Sequence, residues 1–126
     1  GVNPLNNMKN GIAYGFFDCR ASKQDIEAEL PTIRDLTETP SKLELTLMEG
    51  IDGLKGDSKL ISIAKDAQEQ GIKYLLEATY PNETNKTTAD KLSGVINQAY
   101  QSPLYEQEEH FRGAIVYEEN GDYIFL

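Results

Sequence analysis

Residues 12–19 have the sequence IAYGFFDC, a short run of apolar and aromatic side chains. Apolar residues occupy both sets of alternating positions, a pattern typical of a β-strand that is covered on both faces. We therefore predict a buried strand here, at the centre of the sheet, and assign the rest of the chain around it.

Three helices are predicted from capping residues and from the spacing of apolar side chains. The first begins near Ser22, and Pro31 predicts either a kink or a second short helix. The second follows a cap at Asp57 or Ser58 and ends at Gly71, since glycine readily adopts the left-handed conformation that ends helices. The third has the clearest pattern, with apolar residues at i, i+3, i+4, i+7 and i+8. These are Leu92, Val95, Ile96, Ala99 and Tyr100.

The remaining strands are predicted from alternation and from one turn sequence. Residues 43–48 and 72–80 alternate apolar with mostly polar side chains, so each strand should have one face in the core. Residues 114–117 and 123–126 flank Asn120-Gly121, a pair that favours the tight turn of an antiparallel hairpin.

The predicted element order is β-α-β-α-β-α-β-β, which indicates an α/β or α+β fold. Because strands that alternate with helices commonly pair in parallel, we expect parallel pairing among the first three strands. The prediction is a mixed five-stranded sheet with helices mainly on one face, the other face partly open, and a C-terminal antiparallel hairpin. We expect residues 9–126 to form a single α/β domain after a flexible lead, residues 1–8.

Composition and charge exclude several classes of function. The chain of 126 residues has 12 basic and 21 acidic side chains, and the net charge of −9 repels phosphate backbones, so no nucleic-acid partner is expected. There is no run of about eighteen apolar residues, so we expect a soluble protein without membrane association. The lone cysteine, Cys19, favours a reducing compartment, and we predict a cytoplasmic location. Glycosylation-type sequence patterns at Asn82 and Asn85 are weak evidence against a cytoplasmic location.

Polar residues follow each of the first three predicted strands. In an open parallel sheet, ligands collect beyond the carboxyl ends of the strands, so we expect these residues on neighbouring loops. The candidate catalytic residues are Asp18, Cys19 and Arg20. The candidate ligand-binding residues are Glu49, Asp52, Tyr80 and Asn82.

Each of these candidates also has a structural interpretation. A following helix would favour a reactive thiolate at Cys19, but Asp18 opposes it, and a buried inert thiol is the competing interpretation. Enzymes with an aspartate nucleophile after a strand need a second acid two residues on, and Arg20 stands there instead. Glycines before the second helix match neither the phosphate-loop nor the dinucleotide pattern, and we interpret them as turns. They are Gly50, Gly53 and Gly56.

The stretch 101–113 has no periodicity and is expected to form a long loop. It contains the only histidine, His110, next to several glutamates. Carboxylates and an imidazole can hold a divalent cation, but a single histidine makes a poor site. We therefore predict no metal and no cofactor.

The sequence does not specify a function, and two hypotheses remain. The first is a non-catalytic small domain that self-associates, as a homodimer or other homo-oligomer, and binds a protein partner or small ligand. Half-polar strands and six of the seven tyrosines in the second half support association through the open sheet face or the hairpin edge. The alternative is a hydrolase- or transferase-type enzyme with a site around Asp18-Cys19-Arg20. We favour the non-catalytic hypothesis.

Overall fold

The computed structural model describes residues 9–18, 21–35, 40–49, 57–99 and 113–126. The predicted order of elements and the C-terminal hairpin are confirmed. None of the helices in the described ranges has the length and apolar character needed to span a bilayer. The elements are β1 (Gly11–Phe17), α1 (Lys23–Asp35), β2 (Lys42–Leu47), α2 (Ser58–Glu69), β3 (Tyr74–Tyr80), α3 (Asn85–Ala99), β4 (Gly113–Glu119) and β5 (Asp122–Phe125).

Local chemistry explains where the helices begin and end. In α1 the backbone N–H of Asp25 donates to Ser22 Oγ over 3.2 Å, and the helix then continues through Pro31 as one element rather than two. Helix α3 begins at Asn85, after a cap at Thr84. Thr84 Oγ1 accepts the N–H of Thr87 at 3.0 Å. Of the two predicted caps of α2, Asp57 and Ser58, Asp57 is the one that forms.

The five strands form one sheet in the order β2-β3-β1-β4-β5, and every neighbouring pair is antiparallel. The expectation of parallel pairing among the first three strands is therefore wrong. β1 and β2 do run in the same direction, but β3 lies between them. In the same way β1 lies between β3 and β4. The connections from β1 to β2 and from β3 to β4 each cross over one intervening strand, as in the split β-α-β units of ferredoxin-like folds, and α2 and β5 are additions to that arrangement.

Hydrophobic clusters lie on both faces of the sheet. On the first, which we call the α1/α3 face, Ala13 and Phe17 of β1 pack with residues of α1 and α3. On the second, the α2 face, Phe16 packs with Leu60 and Ala64 of α2. β1 is thus central and covered on both sides, as its sequence predicts. Two helices lie on one face, and α2 covers part of the other.

Helix α3 lies directly on β1 because β1 has glycine at the points of contact. A Cβ atom at Gly11 would overlap Thr88 Oγ1 and the carbonyl oxygen of Thr84, and one at Gly15 would lie 2.7 Å from Ile96 Cδ1. The absence of side chains at these two β1 residues therefore sets the distance between this helix and the sheet.

We predict that Gly11→Ala lowers the free energy of unfolding by about 1–3 kcal/mol, because the added methyl group forces α3 away from β1. Gly94→Ala, within α3, is the matched control, since no heavy atom lies within 4 Å of the point that a Cβ atom would occupy there. It should raise the free energy of unfolding by about 0.5–1 kcal/mol, through reduced backbone entropy of the unfolded chain. Urea unfolding measures both. Equal effects of the two substitutions would contradict the close contact at Gly11.

Candidate functional site

The antiparallel sheet places the described candidate residues at two opposite ends. Phe17, the last residue of β1, pairs with Tyr74 at the start of β3, whereas Tyr80 at the end of β3 pairs with Gly11. Asp18 therefore follows β1 at one end of the sheet, and Tyr80 lies at the other. The crevice prediction assumed that all three carboxyl ends share one edge, which holds only for parallel strands.

Strand β2 ends at the same end of the sheet as β1, because Leu47 of β2 pairs with Tyr74, as Phe17 of β1 does. Glu49 follows it, is exposed, and lines a groove of about 500 Å³ together with Lys23 and Glu27. Asp18 and Glu49 thus share one end. Several other predicted residues lie outside the described residues: Cys19, Arg20, Gly50, Asp52, Gly53, Gly56 and His110.

At the opposite end, Tyr80 and Asn82 differ in accessibility. Tyr80 is buried, its hydroxyl has no hydrogen-bond partner among the described residues, and Lys91 Nζ lies 5.5 Å from the centre of its ring. Asn82 is exposed in the turn after β3, with a φ angle of 58°. Asn82 lines a cleft and Tyr80 does not, so the two residues do not form a common site.

The cleft beside Asn82 has a volume of about 530 Å³ and lies at the start of α3. One of its polar lining side chains, Asn85, is already hydrogen-bonded within the fold. Asn85 Oδ1 accepts the N–H of Ile12 at 2.9 Å, and Asn85 Nδ2 donates to the carbonyl oxygen of Glu118 at 2.9 Å. This asparagine therefore ties α3 to β1 and β4. Sequence reasoning identified Asn85 only as part of a glycosylation-type pattern.

A second polar cluster fastens α2 to the hairpin. Asp57 Oδ1 accepts the N–H of Leu60 at 2.9 Å, while Asp57 Oδ2 accepts the hydroxyl of Tyr123 at 3.2 Å. Lys59 Nζ lies 2.8 Å from Asp122 Oδ1 and donates to the carbonyl oxygen of Gly121 at 2.9 Å. The N-terminus of α2 is thereby held against β5. The cap at Asp57 was predicted from sequence, but its bond to a tyrosine far along the chain was not.

The two tyrosines on the α2 face have raised pKa values. Burial is the main cause of the raised pKa of Tyr123, and the negative charge of Asp57 adds to it. Burial and then the charge of Glu77 raise the pKa of Tyr14, whose ring centre lies 6.5 Å from that of Tyr123. Both hydroxyls therefore keep their protons at neutral pH, and act there as neutral hydrogen-bonding groups.

Strand β5 and the residue that follows it carry the exposed large apolar side chains of the described region. Ile124, Phe125 and Leu126 are 38%, 58% and 52% exposed, respectively. Among the described residues, β5 pairs with β4 alone, on one of its two sides. The N–H of Leu126 donates to the carbonyl oxygen of Ile115 at 2.8 Å, so Ile124 and Leu126 direct their backbone groups to β4. By alternation, Tyr123 and Phe125 direct theirs outward. We call this outer side of residues 122–126 the hairpin edge.

The opposite edge of the sheet, at β2, carries charged side chains instead. Lys42 and Glu44 are exposed, and Lys42 Nζ lies 2.8 Å from Glu77 Oε2. Charged residues on an edge strand hinder its pairing with another strand. Of the two sheet edges, the hairpin edge is therefore the one suited to association.

We predict that Asp57→Ala lowers the free energy of unfolding by about 1–2 kcal/mol, because it removes the helix cap as well as the bond to Tyr123. Tyr123→Phe should cost about 0.5–1.5 kcal/mol, because it removes only the hydroxyl. Since the two residues share one hydrogen bond, the double variant should lose less than the sum of the two single losses. Urea unfolding of the three variants measures this coupling. Simple additivity would show that the hydrogen bond contributes nothing to stability.

The raised pKa of Tyr123 also predicts how stability depends on pH. Above pH 10, the ordinary pKa of tyrosine, the unfolded chain loses the proton while folded Tyr123 keeps it. The unfolded state is then favoured, so the free energy of unfolding should fall as pH rises. Tyr123→Phe removes this contribution, and its stability should fall less steeply over the same range. Parallel pH curves for the two proteins would contradict the prediction.

Comparison with known protein families, with curated proteins and with solved structures finds no match to this chain. Function is therefore inferred from the contacts and exposures described above. The hairpin edge is the candidate functional site, because its backbone groups have no strand partner in the described part of the chain and its apolar side chains are exposed.

Proposed function

We propose that this chain is a non-catalytic α/β domain that self-associates through its hairpin edge. The observation that carries the proposal is the exposure of Phe125, 58% of its surface, on a strand that pairs on one side only. A strand edge of this kind readily pairs with another strand. Burial of a large apolar side chain contributes about 1.5–3 kcal/mol, so a few such side chains provide a substantial driving force.

The local charge supports association at this edge despite the net charge of −9. Asp122 is the only charged side chain in residues 122–126. Its carboxylate is paired with Lys59 at 2.8 Å, and this contact lowers the pKa of Asp122. Two hairpin edges can therefore approach each other without bringing two unneutralised side-chain carboxylates together.

The position of α2 supports the hairpin edge over the sheet face as the contact surface. Sequence reasoning offered both. Helix α2 covers part of the face that was expected to be partly open, where Leu60 and Ala64 pack on Phe16. Polar contacts of that face, such as the one between Lys42 and Glu77, are satisfied within the chain. The apolar side chains of the hairpin edge have no such cover among the described residues.

The enzyme hypothesis receives no support from the described candidates. Asp18 and Glu49 lie at one end of the sheet, while Tyr80 and Asn82 lie at the other.

The lone cysteine supports a reducing compartment, and we propose a cytoplasmic location for the chain on that ground.

We predict that the chain forms a dimer. Phe125→Lys should weaken dimerisation at least tenfold, which corresponds to about 1.4 kcal/mol, because a charged lysine replaces an apolar side chain at the contact. Thr46→Lys is the matched control, since it adds the same charge to the opposite edge strand. It should leave the dimerisation constant unchanged. Sedimentation equilibrium over a range of concentrations measures all three proteins.

Two outcomes would contradict the proposed function. One is a wild-type chain that stays monomeric at the highest concentrations. The other is a dimer that Phe125→Lys leaves intact while Thr46→Lys disrupts it, which would move the interface to β2.

A further inference from the structure

We propose that β5 pairs with β5 of a second copy, antiparallel and about a two-fold axis at Ile124, so that two five-stranded sheets join into one continuous sheet. This inference rests on the proposed function and adds the identity of the partner strand and its register. Three features carry it: the direction of the backbone groups, the register of the side chains and the character of the two sheet edges.

The backbone of the hairpin edge is complementary to itself. Tyr123 and Phe125 direct their N–H and C=O groups outward, as the alternation with Leu126 requires. In a two-fold antiparallel pair, Tyr123 of each copy lies opposite Phe125 of the other. Each of these two pairs exchanges two hydrogen bonds, so the same short segment is donor and acceptor on both sides. A two-fold contact of this kind closes after two copies.

One register is favoured over its neighbours. Only shifts of two residues keep outward-directed groups opposite each other. A shift that places Tyr123 opposite Tyr123 moves Phe125 against Gly121, in the turn. A shift that places Phe125 opposite Phe125 takes Tyr123 out of its direct cross-strand position beside Phe125 of the other copy, where aromatic neighbours stabilise the pair. With the axis at Ile124, each Tyr123 lies directly opposite Phe125 of the other copy, and no turn residue lies opposite Phe125.

The side chains also fit the centred register. Phe125 pairs with Val116 and Tyr123 with Glu118 across the hairpin, which places both aromatic rings on the α2 face. Tyr123 of one copy then lies beside Phe125 of the other, and aromatic cross-strand neighbours stabilise antiparallel pairs. The hydroxyl of Tyr123 is already held by Asp57 at 3.2 Å, so its ring is ordered before association.

The two edges of the sheet differ in a way that selects the two-fold pair over a head-to-tail contact. Pairing of β5 with β2 of another copy would leave the outer edges unpaired and generate an open chain of subunits. It would also place the apolar hairpin edge against Lys42 and Glu44, both exposed and charged. Pairing of β5 with itself places Ile124 against Ile124. It avoids both the open chain of subunits and the contact with charged side chains.

Cysteine cross-linking tests the register directly, in a Cys19→Ser background whose dimerisation is measured first. In the proposed pair, residue 124 faces itself at a non-hydrogen-bonded position, where Cα atoms are about 4.5 Å apart. That separation allows a disulfide. Glutathione disulfide is the oxidant and takes up the two electrons and two protons that the thiols release. Ile124→Cys should cross-link nearly completely, whereas Tyr123→Cys and Phe125→Cys should each cross-link at least tenfold more slowly.

A second pair of variants guards against a folding defect at position 124. Asp122 and Leu126 are exposed, and the proposed register places them opposite each other. A mixture of Asp122→Cys and Leu126→Cys should form a mixed disulfide, while neither variant alone should cross-link.

The outcomes separate this inference from the proposed function. Dimers in which Tyr123→Cys or Phe125→Cys cross-links fastest would overturn the register but leave self-association through the hairpin edge in place. Dimers in which no position in β5 cross-links would overturn the pairing of β5 with itself. Absence of any dimer in the Cys19→Ser protein and in the wild type would overturn both.

Discussion

The position of β1 between β3 and β4, with apolar packing on both of its faces, is the constraint on which the rest of the structure depends. Gly11 and Gly15 let α3 rest directly on this strand, and that contact fills the α1/α3 face. Because Phe16 points to the opposite face, a second apolar layer is needed there, and α2 supplies it. A central strand that must be covered twice therefore explains why the helices divide between the two faces. It also explains why the outermost strands, β2 and β5, are those with the least cover.

The polar contacts of the α2 face link this core to the hairpin edge. One carboxylate oxygen of Asp57 caps α2, and the other accepts a hydrogen bond from the hydroxyl of Tyr123. Lys59 neutralises Asp122 close to the turn. The hairpin is thereby held to the body of the domain by side chains on α2, although β5 itself pairs with one strand only. A rigid, locally neutral edge that presents apolar side chains is suited to association, because little order is lost when a partner binds.

Much of the architecture could be predicted from local patterns, whereas the pairing could not. The apolar run in β1, the cap at Asp57 and the Asn120-Gly121 turn each depend on neighbouring residues, and all three predictions are confirmed. The direction of pairing depends on which distant strand lies beside β1, and alternation of strands and helices does not determine that. For the same reason the described candidates do not share one end of the sheet, since antiparallel neighbours send Asp18 and Tyr80 to opposite ends. The exposure of Phe125 was also beyond local reasoning, because an alternating or apolar run does not show whether a strand lies at the edge of its sheet.

The most direct test of the account is amide hydrogen exchange, resolved by residue and followed as a function of protein concentration. Ile124 donates toward β4 within the chain, so its amide should be protected at every concentration. The amides of Tyr123 and Phe125 point outward and should be protected only where the dimer is populated, with exchange accelerating on dilution. This alternating, concentration-dependent pattern is the result the account predicts. Rapid exchange of Tyr123 and Phe125 at all concentrations would contradict it, because the hairpin edge would then form no backbone pairing with a second copy.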